Sequence, residues 1–249
     1  MNFKLLAPLA LAAVIGVPQM SAAVTEQLFL DAGGGTTATI TVNTGGVIGC
    51  VGTCGGLTAI LSGGDHGQLG VLGNIGQFSI SSTGRGFGVL VAPTLQTLNQ
   101  VNASTTGAGT LVARYTVLDY TTLGGTYVLG VSGVDDVGIN TSRTSFQALV
   151  SAANAVPAAT LIGQFLNQVP NTGTPATSFS NAGNFASPIA GSTGSLTSMI
   201  TLAFTGAGTM QANLTISNLA VPEPASIVFL GTALLGLSTL IRKRAVAKS

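Results

Sequence analysis

The side chains able to do chemistry are few and scattered. Cys50 and Cys54 are the only cysteines, set among Gly49, Gly52, Gly55 and Gly56, so the backbone between them can fold tightly enough for a bridge. In an oxidising compartment a disulfide is the default for such a pair. The closed loop is short, and the chain-entropy model assigns it about 2 kcal/mol. The spacing is one residue longer than that of a redox-active Cys-x-x-Cys, and a metal site using both sulfurs and His66 has no evident fourth ligand. His66, the only histidine, sits in a turn-like run, Gly63-Gly64-Asp65-His66-Gly67. No second imidazole and no Gly-x-Ser-x-Gly elbow accompanies it, so a nucleophile–base–acid triad has little to draw on. Asp135 and Asp136, between Gly133 and Gly138, lack the ligand spacing of a calcium loop and read as a solvated turn. Paired carboxylates for glycoside hydrolysis depend on proximity in space, but the supply of acids is thin and no tryptophan offers a sugar-stacking platform. The expectation is no cofactor, no metal and no enzymatic activity.

The elements that would position these residues have a period of two. Ala38, Ile40 and Val42 alternate with Thr37, Thr39 and Thr41. Phe78 and Ile80 alternate with serines, and Leu111, Ala113, Tyr115 and Val117 share a face opposite Arg114 and Thr116. Tyr127, Leu129 and Val131 form another such face. Ile200, Leu202 and Phe204 alternate with polar or small residues, as do Met210, Ala212, Leu214 and Ile216 after Gly206-Ala207-Gly208. Such alternation describes strands with one buried and one hydrated face, and the last two runs read as a hairpin. Glycine pairs and triplets at 33–35, 45–46, 55–56, 63–64 and 124–125 punctuate the strands. The expected fold is therefore all-β, an antiparallel β-sandwich. A parallel β-helix or solenoid is the alternative, weakened by the lack of a fixed-period repeat. Leu149, Ala152, Ala153 and Val156 suggest a short helix within 148–168, interrupted by Pro157, and the Asn-, Thr-, Ser- and Gly-rich stretch 171–194 suggests a long exposed loop with at most a short strand near Phe185.

Only 6% of the chain is charged, against a typical quarter. Between residues 24 and 220 stand three arginines (Arg85, Arg114, Arg143) and six acids (Glu26, Asp31, Asp65, Asp119, Asp135, Asp136), a net charge of −3. No basic patch exists, so nucleic-acid binding has no electrostatic basis. Solubility rests on Thr, Ser, Asn and Gly, a surface suited to a hydrated, polysaccharide-rich setting.

Both ends carry address-like segments. Met1 to Ala23 has the form of a secretory signal peptide: Lys4, an apolar stretch from Leu5 to Val17, Pro18, then the small residues Ser21-Ala22-Ala23. Cleavage between Ala23 and Val24 by signal peptidase, after passage through the Sec translocon, leaves an exported body spanning 24–220. At the other end Val221-Pro222-Glu223-Pro224 precedes an uncharged run, 225–241, which is followed by Arg242-Lys243-Arg244 and a basic tail to residue 249. A helix of that length rises roughly 25 Å, at the short end of what spans a ~30 Å hydrocarbon core. The basic cluster sets its orientation with the C-terminus in the cytoplasm. The two prolines hold the segment before it extended, as a processing enzyme requires.

Together, the Pro-Glu-Pro signature, the single apolar helix and the basic cluster resemble the PEP-CTERM sorting signal, found on exported proteins of Gram-negative bacteria. The resemblance covers about a tenth of the chain. It implies processing by exosortase at an inner-membrane intermediate, then display at the cell surface or in the extracellular matrix, in bacteria that make exopolysaccharide, biofilm or floc. Two classes of function follow. One is a structural or adhesive protein associated with exopolysaccharide. The other is a secreted carbohydrate-binding module or polysaccharide-acting enzyme carrying the same tail. The scarcity of His, Cys, Trp and charge favours the first.

Overall fold

The computed structural model describes residues 24–63, 68–86, 96–120, 124–136, 143–168, 176–189 and 194–219. Across them run β1 (Val24–Asp31), β2 (Thr37–Asn43), β3 (Ile48–Gly52), β4 (Leu57–Ser62), β5 (Gln68–Ile75), β6 (Phe78–Gly86) and β7 (Gln96–Thr105). They continue as β8 (Gly109–Tyr120), β9 (Thr126–Asp136), β10 (Arg143–Ser151), β11 (Thr160–Gln168), β12 (Ala176–Ala186), β13 (Gly194–Phe204) and β14 (Gly208–Leu219). Two seven-stranded sheets result: β11-β10-β13-β8-β1-β2-β3 and β12-β9-β14-β7-β6-β5-β4. Every described pairing is antiparallel. This is the sandwich of the sequence reading and excludes the parallel solenoid.

The chain first meanders, three strands in the first sheet and four in the second. From β7 onward every connection except β10 to β11 passes between the sheets. The reason lies in the alternating side chains. A strand with one apolar face must turn that face to the core from whichever sheet it joins. Leu28, Ile40, Tyr115, Phe146 and Ile200 point in from the first sheet, and Val71, Phe78, Val101, Leu129 and Leu214 from the second, all essentially inaccessible. Each such burial stabilises by about 1.5–3 kcal/mol. Aromatic pairs bridge the layers: Phe78 with Phe204 at 5.7 Å between centroids, Phe146 with Phe179 and Phe165 with Phe185 at 5.8 Å. Large side chains also meet glycines. The Tyr115 ring covers Gly84, the Phe179 ring covers Gly133, and the Phe185 ring covers Gly163, which is how a sandwich with few aromatics avoids voids.

Three expectations are corrected. The runs ending at Phe204 and beginning at Met210 do not form a hairpin. β13 pairs with β10 and β8, while β14 pairs with β7 and β9. Both faces are buried as the alternation requires, but the 205–207 turn carries the chain from one sheet to the other. The short helix within 148–168 is absent. Thr144, Phe146, Ala148 and Val150 follow period two in β10, and Ala152 and Ala153 lie exposed in a turn before β11. The stretch 171–194 is not a long loop, since β12 runs through 176–186 as an edge strand, with Phe179 and Phe185 packed against the core. Its small polar residues belong to a strand paired on one side only.

Candidate functional site

The cysteines lie at one margin of the sandwich, where the chain leaves the edge strand of the first sheet for that of the second. Cys50 is in β3 and Cys54 just beyond it. Their sulfurs are bonded at 1.99 Å, with the Cα atoms 6.2 Å apart. Backbone bonds brace the crossing: Thr53 N–H donates to Thr37 O at 2.7 Å, and Leu57 N–H to Cys54 O at 3.0 Å. Asp135 and Asp136 stand in the last residues of β9, paired with Thr177 and Ala176 of β12 and with Met210 and Thr209 of β14. The solvated turn expected there is thus replaced by strand. Val24 opens β1. Asp65, His66, Ala23, the motif Val221-Pro222-Glu223-Pro224 and the cluster Arg242-Lys243-Arg244 lie outside the described residues. Among the described residues no helix is long and apolar enough to cross a membrane, and the expected span 225–241 is not among them.

The structure brings together residues that the sequence left apart, on the outer face of the second sheet. Strand pairing sets Ser132 of β9 beside Asn213 of β14, Asn213 beside Gln100 of β7, Gln100 beside Thr83 of β6, and Thr83 beside Gly70 of β5. Gly70 in turn neighbours Ile60 of β4. A second row runs parallel to it, with Gln211 beside Asn102 and Asn102 beside Ser81. Asn213 Nδ2 donates to Ser132 Oγ at 3.4 Å. Asn102 Oδ1 is shielded from solvent and accepts no hydrogen bond. The face is therefore a field of amide and hydroxyl groups, each able to donate and accept. It is uncharged across β14, β7 and β6 as far as Arg85.

At the β4–β6 end this field dips into a groove of about 240 Å³. The missing side chain of Gly70 makes its floor. Ile60 and Leu72, 54% and 48% exposed, help to make its surface largely apolar, and Gln68, Ser81 and Thr83 also line it. The hydrated face of β14 was legible as alternation. The groove was not, because a glycine between Leu69 and Val71 acquires meaning only once Ile60 and Thr83 are placed on either side of it.

Residues 220–244 match the PEP-CTERM protein-sorting motif. The motif marks an exported protein, directed to the cell surface and processed by exosortase. No curated protein matches the chain. Among solved structures, TmCBM61 in complex with β-1,4-galactotriose is similar at 9% identity and a TM-score of 0.32, over 57% of this chain and 88% of that one. A cleaved adhesin domain of Lys-gingipain from Porphyromonas gingivalis is similar at 10% identity and a TM-score of 0.33, over 66% and 91%. Caldicellulosiruptor saccharolyticus CBM27-1 in complex with mannohexaose is similar at 11% identity and a TM-score of 0.31, over 53% and 80%. Likenesses at this level carry no argument about a ligand, and the sandwich rests on the strand pairing itself.

Proposed function

We propose that the sorting motif delivers a non-enzymatic structural or adhesive protein to the cell surface or extracellular matrix of a Gram-negative bacterium, where it associates with exopolysaccharide. The observation that carries this reading is the sorting motif joined to a sandwich that keeps its polar character almost without charge. Three arginines and six acids in the body leave solubility to hydroxyl and amide groups, which hydrate well and repel neighbours little. Such a surface tolerates dense packing in a matrix. The scarcity of imidazole, free thiol and carboxylate gives an enzyme little to work with. A run of seventeen uncharged residues, 225–241, then serves as a temporary tether.

The test is cell fractionation with intact mass spectrometry of the chain expressed in a bacterium that possesses exosortase. The expected product starts at Val24, lacks the Arg242-Lys243-Arg244 end and is found at the surface or in the matrix. A product still carrying its basic terminus in the inner membrane rejects the reading.

A further inference from the structure

We infer that the outer face of the second sheet binds a neutral, hydroxyl-rich polysaccharide, with one sugar ring seated in the groove floored by Gly70. This deepens the matrix reading above and rests on it for the setting, but the site is argued from its own geometry.

The row Ser132, Asn213, Gln100, Thr83, Gly70 and Ile60 crosses six adjacent strands. At about 4.8 Å between strands it spans roughly 24 Å. That is a track for an extended polymer rather than a pocket for a compact ligand, and the groove at its end is smaller than the ~300 Å³ at which drug-sized ligand sites begin. A pyranose has apolar C–H faces and a polar equator. Ile60 and Leu72 give the groove a largely aliphatic surface for the faces, and Gln68, Ser81 and Thr83, which also line it, carry amide and hydroxyl groups for the equator. Beyond the groove, Gln100, Asn102, Gln211 and Asn213 continue the same chemistry across β7 and β14. Each hydroxyl of a sugar can both donate and accept, so it matches amides and hydroxyls of either orientation.

The other classes of partner fit worse. Nucleic acid requires clustered cations, and a membrane surface requires a broad apolar face edged with Lys or Arg. A protein interface draws on aromatic and apolar anchors at its centre, and this face has amides there. An anionic polymer would need positive charge, and Arg85 alone stands at the end of β6.

Gly70 supplies the decisive variant. A Cβ there meets only Ile60 O at 3.7 Å and Thr83 Cγ2 at 3.9 Å, ordinary contact distances, so Gly70→Val fills the groove and leaves the strand intact. The full-length chain, purified in detergent, is run on affinity gels containing dextran, galactomannan or alginate. The expected result is retardation by dextran or galactomannan and none by alginate. Gly70→Val weakens it about tenfold or more with the melting temperature retained, and Gln147→Ala, on the outer face of the first sheet, leaves it unchanged. Should Gly70→Val fail to fold, the double variant Gln100→Ala/Asn213→Ala carries the same expectation. Retardation by alginate alone, retardation indifferent to these variants, or none by either neutral polymer overturns the assignment. The last result in a protein correctly trimmed and displayed removes the binding face and leaves the matrix reading standing, whereas a protein held in the inner membrane removes the matrix reading only.

Discussion

Asp119 and Asn154 hold each other by two hydrogen bonds across 35 residues of chain. Asp119 N–H donates to Asn154 Oδ1 at 3.0 Å, and Asn154 Nδ2 donates to Asp119 Oδ1 at 2.8 Å. Both residues are in the left-handed region, with φ of 57° and 55°, a conformation Asn and Asp tolerate better than other side chains. The pair ties the end of β8 to the 152–159 turn, which lies over the outer face of the first sheet. There Ala158 N–H donates to Thr197 Oγ1 at 3.0 Å, and Thr197 Oγ1 lies 2.8 Å from Thr116 Oγ1. Two threonines that alternation would turn to water are thereby buried.

Asn154→Ala is therefore expected to lower stability by about 1–3 kcal/mol, losing both bonds and placing alanine, which tolerates left-handed geometry less well than asparagine, at φ 55°. Asn154→Gly loses the bonds but not the conformation and should cost less. Denaturant midpoints of the two variants check the order.

Two glycines on neighbouring strands should respond oppositely to the same change. Gly84→Ala drives a methyl into the Tyr115 ring and is expected to cost about 1–3 kcal/mol by overpacking. Gly70→Ala finds ordinary contacts and is expected to be neutral or to stabilise by up to about 1 kcal/mol through reduced unfolded-state freedom. Thermal melts of the pair decide it, and equal losses at both positions refute the packing account.

Reduction of the Cys50–Cys54 bond should lower stability by about 2 kcal/mol and leave the sandwich assembled, because the bridge closes a loop with a sequence separation of 4 at one margin. Unfolding with and without reductant, followed by far-ultraviolet dichroism, measures both parts. Collapse of the fold on reduction contradicts it.

Replacing Pro222, Glu223 and Pro224 with alanine should leave the C-terminal segment attached and the chain in the inner membrane. Replacing Arg242, Lys243 and Arg244 with glutamine should instead weaken orientation, since these three charges set which side the terminus occupies. Intact mass reports the first variant and protease protection in spheroplasts the second. Normal release of the first variant discards the sorting mechanism.

The sequence by itself determined the strand character, the sandwich class and the sorting address. All three are written locally: apolar residues at every second position, glycines between runs, and a short motif abutting an uncharged segment. Where local signals competed, they misled. Ala152, Ala153 and Val156 gave 148–168 a helical spacing, yet Phe146 and Val150 are held in β10 by Ile200 and Leu196 of β13, which no local window contains. Only the tertiary structure decided which strands are neighbours. Alternation says that Phe204 and Met210 face a core, but not that the turn between them changes sheets. It says that Asn213 faces water, but not that Gln100 stands beside it. Backbone pairing is nearly indifferent to residue type, so register and order are set by the packing of all inward side chains at once, and the polar face and its Gly70 groove are consequences of that packing.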